Sequence, residues 1–238
     1  MPGYLLHLAA CKPELLENES FRKGVEAPDL LKKWVAKLGL DEARRKYASW
    51  KELDMPSFSF FEERALAKDD DQAMGLHYGY SSNPDLVAFL DMLPKEDEKN
   101  PFWRGYFWHL VTDKIMYTWL DIGKTYKQEI QKLIKKGYKC EDVEKKEKKR
   151  LHDDWDRINK LVLEEFNVLL PPEIEELNIV KFINDGQPLT YIKWDEVKRI
   201  IKVLRTIQSI TMDLINVVDL CNIIDWNSIP KSLKSSFE

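Results

Sequence analysis

Glycine and histidine are both scarce in this chain of 238 residues, which has nine of the first and four of the second. So few glycines leave little material for a glycine-rich phosphate loop or for an all-β fold with many tight turns. Three cysteines, scattered and odd in number, exclude a disulfide framework. Long apolar runs are missing too: none reaches the roughly 18 residues that span a bilayer. The apolar stretch 4–11 contains His7 and lacks a basic leader or a small-x-small cleavage site, so it does not read as a signal peptide. With unpaired thiols, these absences lead to the expectation of a soluble, cytoplasmic protein with no transmembrane segment. An excess of one charge is lacking as well. Against 37 basic side chains stand 41 acidic ones, a net charge of −4, which gives no reason to expect general nucleic-acid binding.

What is present is apolar and aromatic. Hydrophobic residues make up 44% of the chain and aromatic ones 11%, enough to bury a core and to exclude global disorder. Most of the sequence carries helical periodicity. A helix is expected over 28–47, opening at Pro28-Asp29 and broken near Gly39-Leu40-Asp41, with Asp41 as an N-cap. Asn83-Pro84 opens another, with Leu86, Val87, Phe89, Leu90 and Leu93 on its apolar side, and residues 94–101 read as a solvated loop. Asn100-Pro101 begins the most apolar helix of the chain, FWRGYFWHLVTDKIMYTWLDIG, hydrophobic on nearly every face and therefore central. The lysine- and glutamate-rich stretch 127–150 reads as a solvated surface excursion, and 151–169 as an amphipathic helix. Residues 178–194 are β-rich around Asp185-Gly186, which predicts a small β-hairpin, and one long final helix follows from Asp195 through 226. The expected architecture is all-α: a single helical domain over 1–238, with a core over about 1–170 and the hairpin and final helix in 171–238. That final helix is also the candidate surface for self-association.

Two of the four histidines precede a carboxylate by one helical turn. His109 and Asp113 share a face of the central helix, and His152 and Asp156 share a face of the later one. An imidazole and a carboxylate at that spacing form half of a site for Zn²⁺ or a similar ion. An aspartate inside so apolar a helix is costly unless paired or ligated, so His109–Asp113 is the stronger pair. Around His152, the run of acidic residues also fits a solvated helix. His77 lies between Gly75 and Gly79, His7 lies in an apolar segment, and Asp29 follows Ala27-Pro28. Taken singly, these three fit core packing or a helix start as well as ligation.

In order, the chain carries His7, then Gly24-x-x-Ala27-Pro28-Asp29, then Gly75-Leu76-His77-Tyr78, then Gly105-Tyr106-Phe107-Trp108-His109-Leu110-Val111-Thr112-Asp113. This series, over about residues 1–160, resembles the bacterial zinc-dependent phospholipase C family and, more remotely, the P1-type nucleases. The resemblance implies a phospholipase C-like helical bundle and a zinc-dependent phosphoric ester hydrolase, with a small-molecule phosphate ester as substrate. It also implies a metal site of Asp29, His77, His109 and Asp113, with Asp113 bridging to a neighbouring ion held by His7. His152 and Asp156 match the family's final His-x-x-x-Glu pair with Asp in place of Glu. The family's ligand at the mature N-terminus falls here on Met1 or Pro2, and no histidine occurs between 110 and 151. One or two zinc ions, rather than three, are therefore expected. Asp29 is also the candidate to take a proton from the attacking water, and Tyr78 and Arg104 are candidates for binding the substrate. Two further readings compete: a catalytically degenerate helical protein that binds a metal or a partner, and an HD-type phosphohydrolase centred on His152-Asp153 with His109 and Asp219.

Overall fold

The computed structural model describes residues 4–50, 55–66, 75–80, 83–120, 122–176, 178, 180–210 and 213–223. The fold is all-α with one small antiparallel pairing of strands. Helix α1 (Tyr4–Ala9) is buried along its whole length, and α2 (Pro13–Leu16) is a single turn with Leu15 and Leu16 half-buried against the core. Helix α3 (Glu19–Leu38) follows, capped by the Asn18 side chain, which accepts from the Phe21 N–H, and ended by Gly39 at φ 81°. Next come α4 (Leu40–Ala48) and α5 (Phe58–Leu66). Strands β1 (Gly79–Tyr80) and β2 (Asn83–Pro84) pair antiparallel, with Gly79 opposite Pro84. Helix α6 (Leu86–Met92) is capped by Asp85, whose carboxylate accepts from the Val87 and Ala88 N–H groups. A short 3-10 turn (Lys95–Lys99) leads to α7 (Pro101–Trp119), capped by Asn100. Helices α8 (Ile122–Lys135) and α9 (Cys140–Phe166) form an antiparallel pair around the Gly137 turn. The chain then continues through α10 (Pro172–Glu176), α11 (Trp194–Ile210) and α12 (Leu214–Ile223).

Helix α7 is the hub, as its all-round apolarity predicts: α1, α3, α6, α8, α11 and α12 all pack on it. Its tightest partner is α3. At their crossing the two backbones touch through glycine: a Cβ on Gly24 would lie 1.9 Å from the Phe102 carbonyl oxygen, and one on Gly105 2.0 Å from that of Phe21. Aromatic rings fill the space beside the crossing, with Tyr106 stacked between Phe61 and Phe89. Helix α11 fastens α1. Arg205 Nε donates to the Ala9 carbonyl at 2.8 Å, and Gln208 Oε1 accepts from the Lys12 N–H at 2.7 Å. The α1 carbonyl end, left open by helix geometry, thus meets a cation.

Five elements differ from the expectation. Pro28 lies inside α3 rather than at its start, because the helix is nucleated and capped nine residues earlier at Asn18–Glu19. Asp41 lies in the first turn of α4, whose N-cap is Gly39, and Val87 is 50% exposed on α6. Strand pairing occurs at 79–84, while the described residues of 178–193 hold no strand. Their backbone bonds go to α9 instead. Buried Asp154 accepts from the Thr190 and Tyr191 N–H groups at 2.9 and 2.7 Å, the Tyr191 hydroxyl donates to Glu147, and Arg157 binds Asp185. The long final helix is two helices, because Asp213 caps α12 by accepting from the Ile215 N–H. The expected continuation to 226, and the positions of Met1 and Pro2, lie outside the described residues. Among those described, no helix is long and apolar enough to cross a membrane.

Candidate metal centre

Five side chains from four segments meet beneath the α3–α7 crossing: His7 of α1, Asp29 of α3, His77 before β1, and His109 and Asp113 of α7. The crossing explains the meeting. Asp29 is five residues beyond Gly24, and His109 and Asp113 are four and eight beyond Gly105, so the glycine contact brings their turns together. His77 is held from the same helix, because the Tyr106 hydroxyl donates to the Leu76 carbonyl. His7 stacks flat on His109, with ring centroids 3.7 Å apart and an interplanar angle of 11°.

The polar atoms face one another. His77 Nε2 is 3.2 Å from His109 Nε2, 3.5 Å from Asp113 Oδ2 and 3.6 Å from Asp29 Oδ1. His109 Nε2 is 3.6 Å from Asp113 Oδ2, and His7 Nε2 is 3.6 Å from Asp113 Oδ1 and 3.9 Å from Asp29 Oδ2. Most of these separations are too long for hydrogen bonds. They match the edges of a coordination polyhedron, since ligands bound at about 2.0–2.1 Å in a tetrahedron lie about 3.3–3.4 Å apart.

Tautomers point the same way. His109 Nδ1 lies 2.8 Å from the Val25 carbonyl oxygen, which can only accept, so Nδ1 carries the proton. In the neutral ring, Nε2 is then a bare lone pair aimed at the cluster. This is the outer-shell contact that orients a ligating histidine.

None of the five residues is more than 6% exposed. His7 Nδ1 and Nε2, Asp29 Oδ1 and both Asp113 carboxylate oxygens are buried without a hydrogen-bond partner among the described residues. Each such atom costs about 1–3 kcal/mol if left so. Burial, reinforced by His109, lowers the His7 pKa to about 3, so its ring is neutral and able to ligate. Burial alone would push the Asp29 carboxyl up, but the close approach of His77 and the fields of His109 and His7 carry it well below the usual carboxylate range. For His109, burial pulls the pKa down, but Asp113, Asp29 and the Val25 carbonyl together raise it above the ordinary value. The donor set, imidazole nitrogens and carboxylate oxygens, fits a borderline divalent cation. These buried groups can hold a metal ion.

The remaining candidates lie elsewhere. His152 is exposed on α9 and Asp156 half-buried, and neither hydrogen bond nor ion pair joins them. Partial desolvation and neighbouring cations such as Lys148 lower the His152 pKa. Asp219 is exposed on α12. Tyr78 is only 4% exposed, packed edge-on against Phe89 with the Arg64 guanidinium 4.4 Å above its ring. Half-buried Arg104 faces the Asp213 charge at the start of α12. The Val25 carbonyl and the Tyr106 hydroxyl, by contrast, were not legible as site groups: one is main chain, and the other is an aromatic in a helix full of them. Comparison with protein-family models, curated proteins and solved structures finds no match.

Proposed function

We propose that this chain is a metal-dependent hydrolase of phosphate esters, acting on phosphodiesters with one or two zinc ions. The observation that supports the reading is that the four segments resembling the zinc-dependent phospholipases are the four that deliver the buried ligands. Asp29, His77, His109 and Asp113 would hold one ion, and His7 with the second Asp113 oxygen would reach a neighbouring one. Charge favours the first position. Two buried carboxylates would be balanced by a single divalent cation, which would remove the cost of burying unpaired charge. When bound, such an ion would supply Lewis acidity and lower the pKa of a bound water toward about 7.

The chain's own groups then have defined tasks. His77 and His109 turn their Nε2 atoms toward each other, and Val25 fixes the His109 Nδ1 proton. Asp113 presents Oδ2 to His77 and His109 and Oδ1 to His7, and would contribute to both positions. Asp29, ionised across the physiological range, is placed to hold the cation, and its depressed pKa favours that role over accepting a proton.

A second reading rests on the closure of the site. Ligands this buried suit a structural ion, because structural sites are closed whereas catalytic ones keep an open position. One experiment separates the two. The purified chain is assayed with chromogenic phosphodiesters before and after chelation, while its thermal midpoint is followed. Hydrolysis that chelator abolishes and zinc restores is expected. Loss of thermal stability on chelation, with no hydrolysis beforehand, would mark a structural ion. A metal-free protein whose His109→Ala variant is equally stable would rule out both.

A further inference from the structure

The net charge of −4 conceals a strong segregation. Residues 122–150, the arm made of α8 and the first turns of α9, carry eleven lysines and arginines against five acidic residues, a net charge of +6. The rest of the chain is therefore at −10. Helix α8 sorts its residues cleanly. Tyr126, Ile130, Leu133 and Ile134 form the face turned toward α9, and Ile130 is 7% exposed. Lys124, Lys127, Lys132, Lys135 and Lys136 occupy the opposite face and line one open groove of about 910 Å³. Lys132 pairs with Glu129 of the same helix at 3.2 Å. The tip adds Lys139 and, beside it, Tyr138, which is 61% exposed.

We infer that this arm docks on an anionic membrane surface. A lysine is a compact point charge suited to a diffuse field, whereas groove reading and bidentate phosphate recognition use arginine. The arm's one arginine, Arg150, is engaged by Glu147 at 3.1 Å. A clustered set of lysines on an amphipathic helix is the pattern that anionic lipid attracts, at about a fivefold gain in partition per basic residue near the surface. Tyr138 places an amphipathic ring at the leading end, where headgroup and acyl chain meet. The acidic remainder of the molecule would be repelled by the same surface, which orients the chain arm-first. A long polyanion wrapped around the body would meet that acidic remainder instead. This inference does not depend on the metal centre.

The test is flotation of the full chain with phosphatidylcholine vesicles, and with vesicles in which a third of the lipid is phosphatidylserine. Binding to the second and not the first is expected, reversed by salt as the charges are screened. The combined Lys127→Glu, Lys135→Glu, Lys136→Glu and Lys139→Glu variant should lose at least about 100-fold in partition. Its helicity and bound metal should be unchanged, since all four side chains are exposed. Tyr138→Ala should weaken binding several-fold with the charge intact. Equal partition into both vesicle types, no partition into the anionic ones, full retention by the charge-reversed variant, or preference for single-stranded DNA over the anionic vesicles would each overturn the inference.

Discussion

His109 performs two tasks with one ring. Its Nδ1 donates to Val25 of α3 at 2.8 Å, and its Nε2 faces His77 and Asp113. That division of labour was half legible: the four-residue spacing to Asp113 announces a shared face, but a main-chain acceptor on another helix leaves no trace in sequence. The same holds for Tyr106, whose hydroxyl fixes the Leu76–His77 segment. Its removal in Tyr106→Phe should cost about 10–100-fold in metal affinity, as outer-shell losses do. Competition with a chromogenic chelator measures this, and circular dichroism checks that the fold persists. His152 shows the opposite case. Its His-x-x-x-Asp spacing matched that of His109, yet it lies exposed on α9. Spacing alone cannot say which face a helix buries. His152→Ala should therefore leave metal content and stability unchanged, within about 0.5 kcal/mol by chemical denaturation.

At the scale of elements, the α3–α7 crossing sets the site. Gly24 and Gly105 let the two backbones touch, and every ligand on these helices is placed from that contact. An added methyl at either position would meet a carbonyl oxygen that cannot rotate away. Gly24→Ala and Gly105→Ala should each destabilise the fold by about 3 kcal/mol or more, the upper end for overpacking, and lower metal affinity in the same measurement. Sequence displayed both glycines within the motif-like segments, but not that they face each other.

The loop over 180–193 shows where pattern reading went astray. Its β-branched and aromatic residues and its Asp-Gly turn match a hairpin, and Gly186 does adopt φ 67°. Side chains on α9 nevertheless outcompete self-pairing: Asp154 accepts from two N–H groups and Arg157 donates to Asp185. Hydrogen bonding from Arg157 lowers the Asp185 pKa to about 2. A depressed carboxyl contributes stability that is complete above its ordinary value near 4 and is lost as pH falls through about 2. Proteolytic or hydrogen-exchange protection of this loop should fall over that window, and Asp185→Asn should weaken it at neutral pH.

For the whole molecule, sequence delivered the helical class and a central α7, because an all-round apolar helix has only one place to go. It did not deliver the closure of the ligand cluster, which depends on six packed elements around α7, nor the arm of opposite charge, which net counts average away. Buried carboxylates facing imidazoles, at distances that suit coordination better than hydrogen bonding, form a cluster that can hold a metal ion, and the proposed occupant is a divalent cation. Anomalous scattering at the zinc edge from crystals of the purified chain tests that most directly. A peak about 2.0–2.2 Å from His77 Nε2, His109 Nε2 and oxygens of Asp29 and Asp113 is the expected result. Absence of any peak after crystallisation with excess zinc, or a peak only at surface groups such as His152, would contradict it.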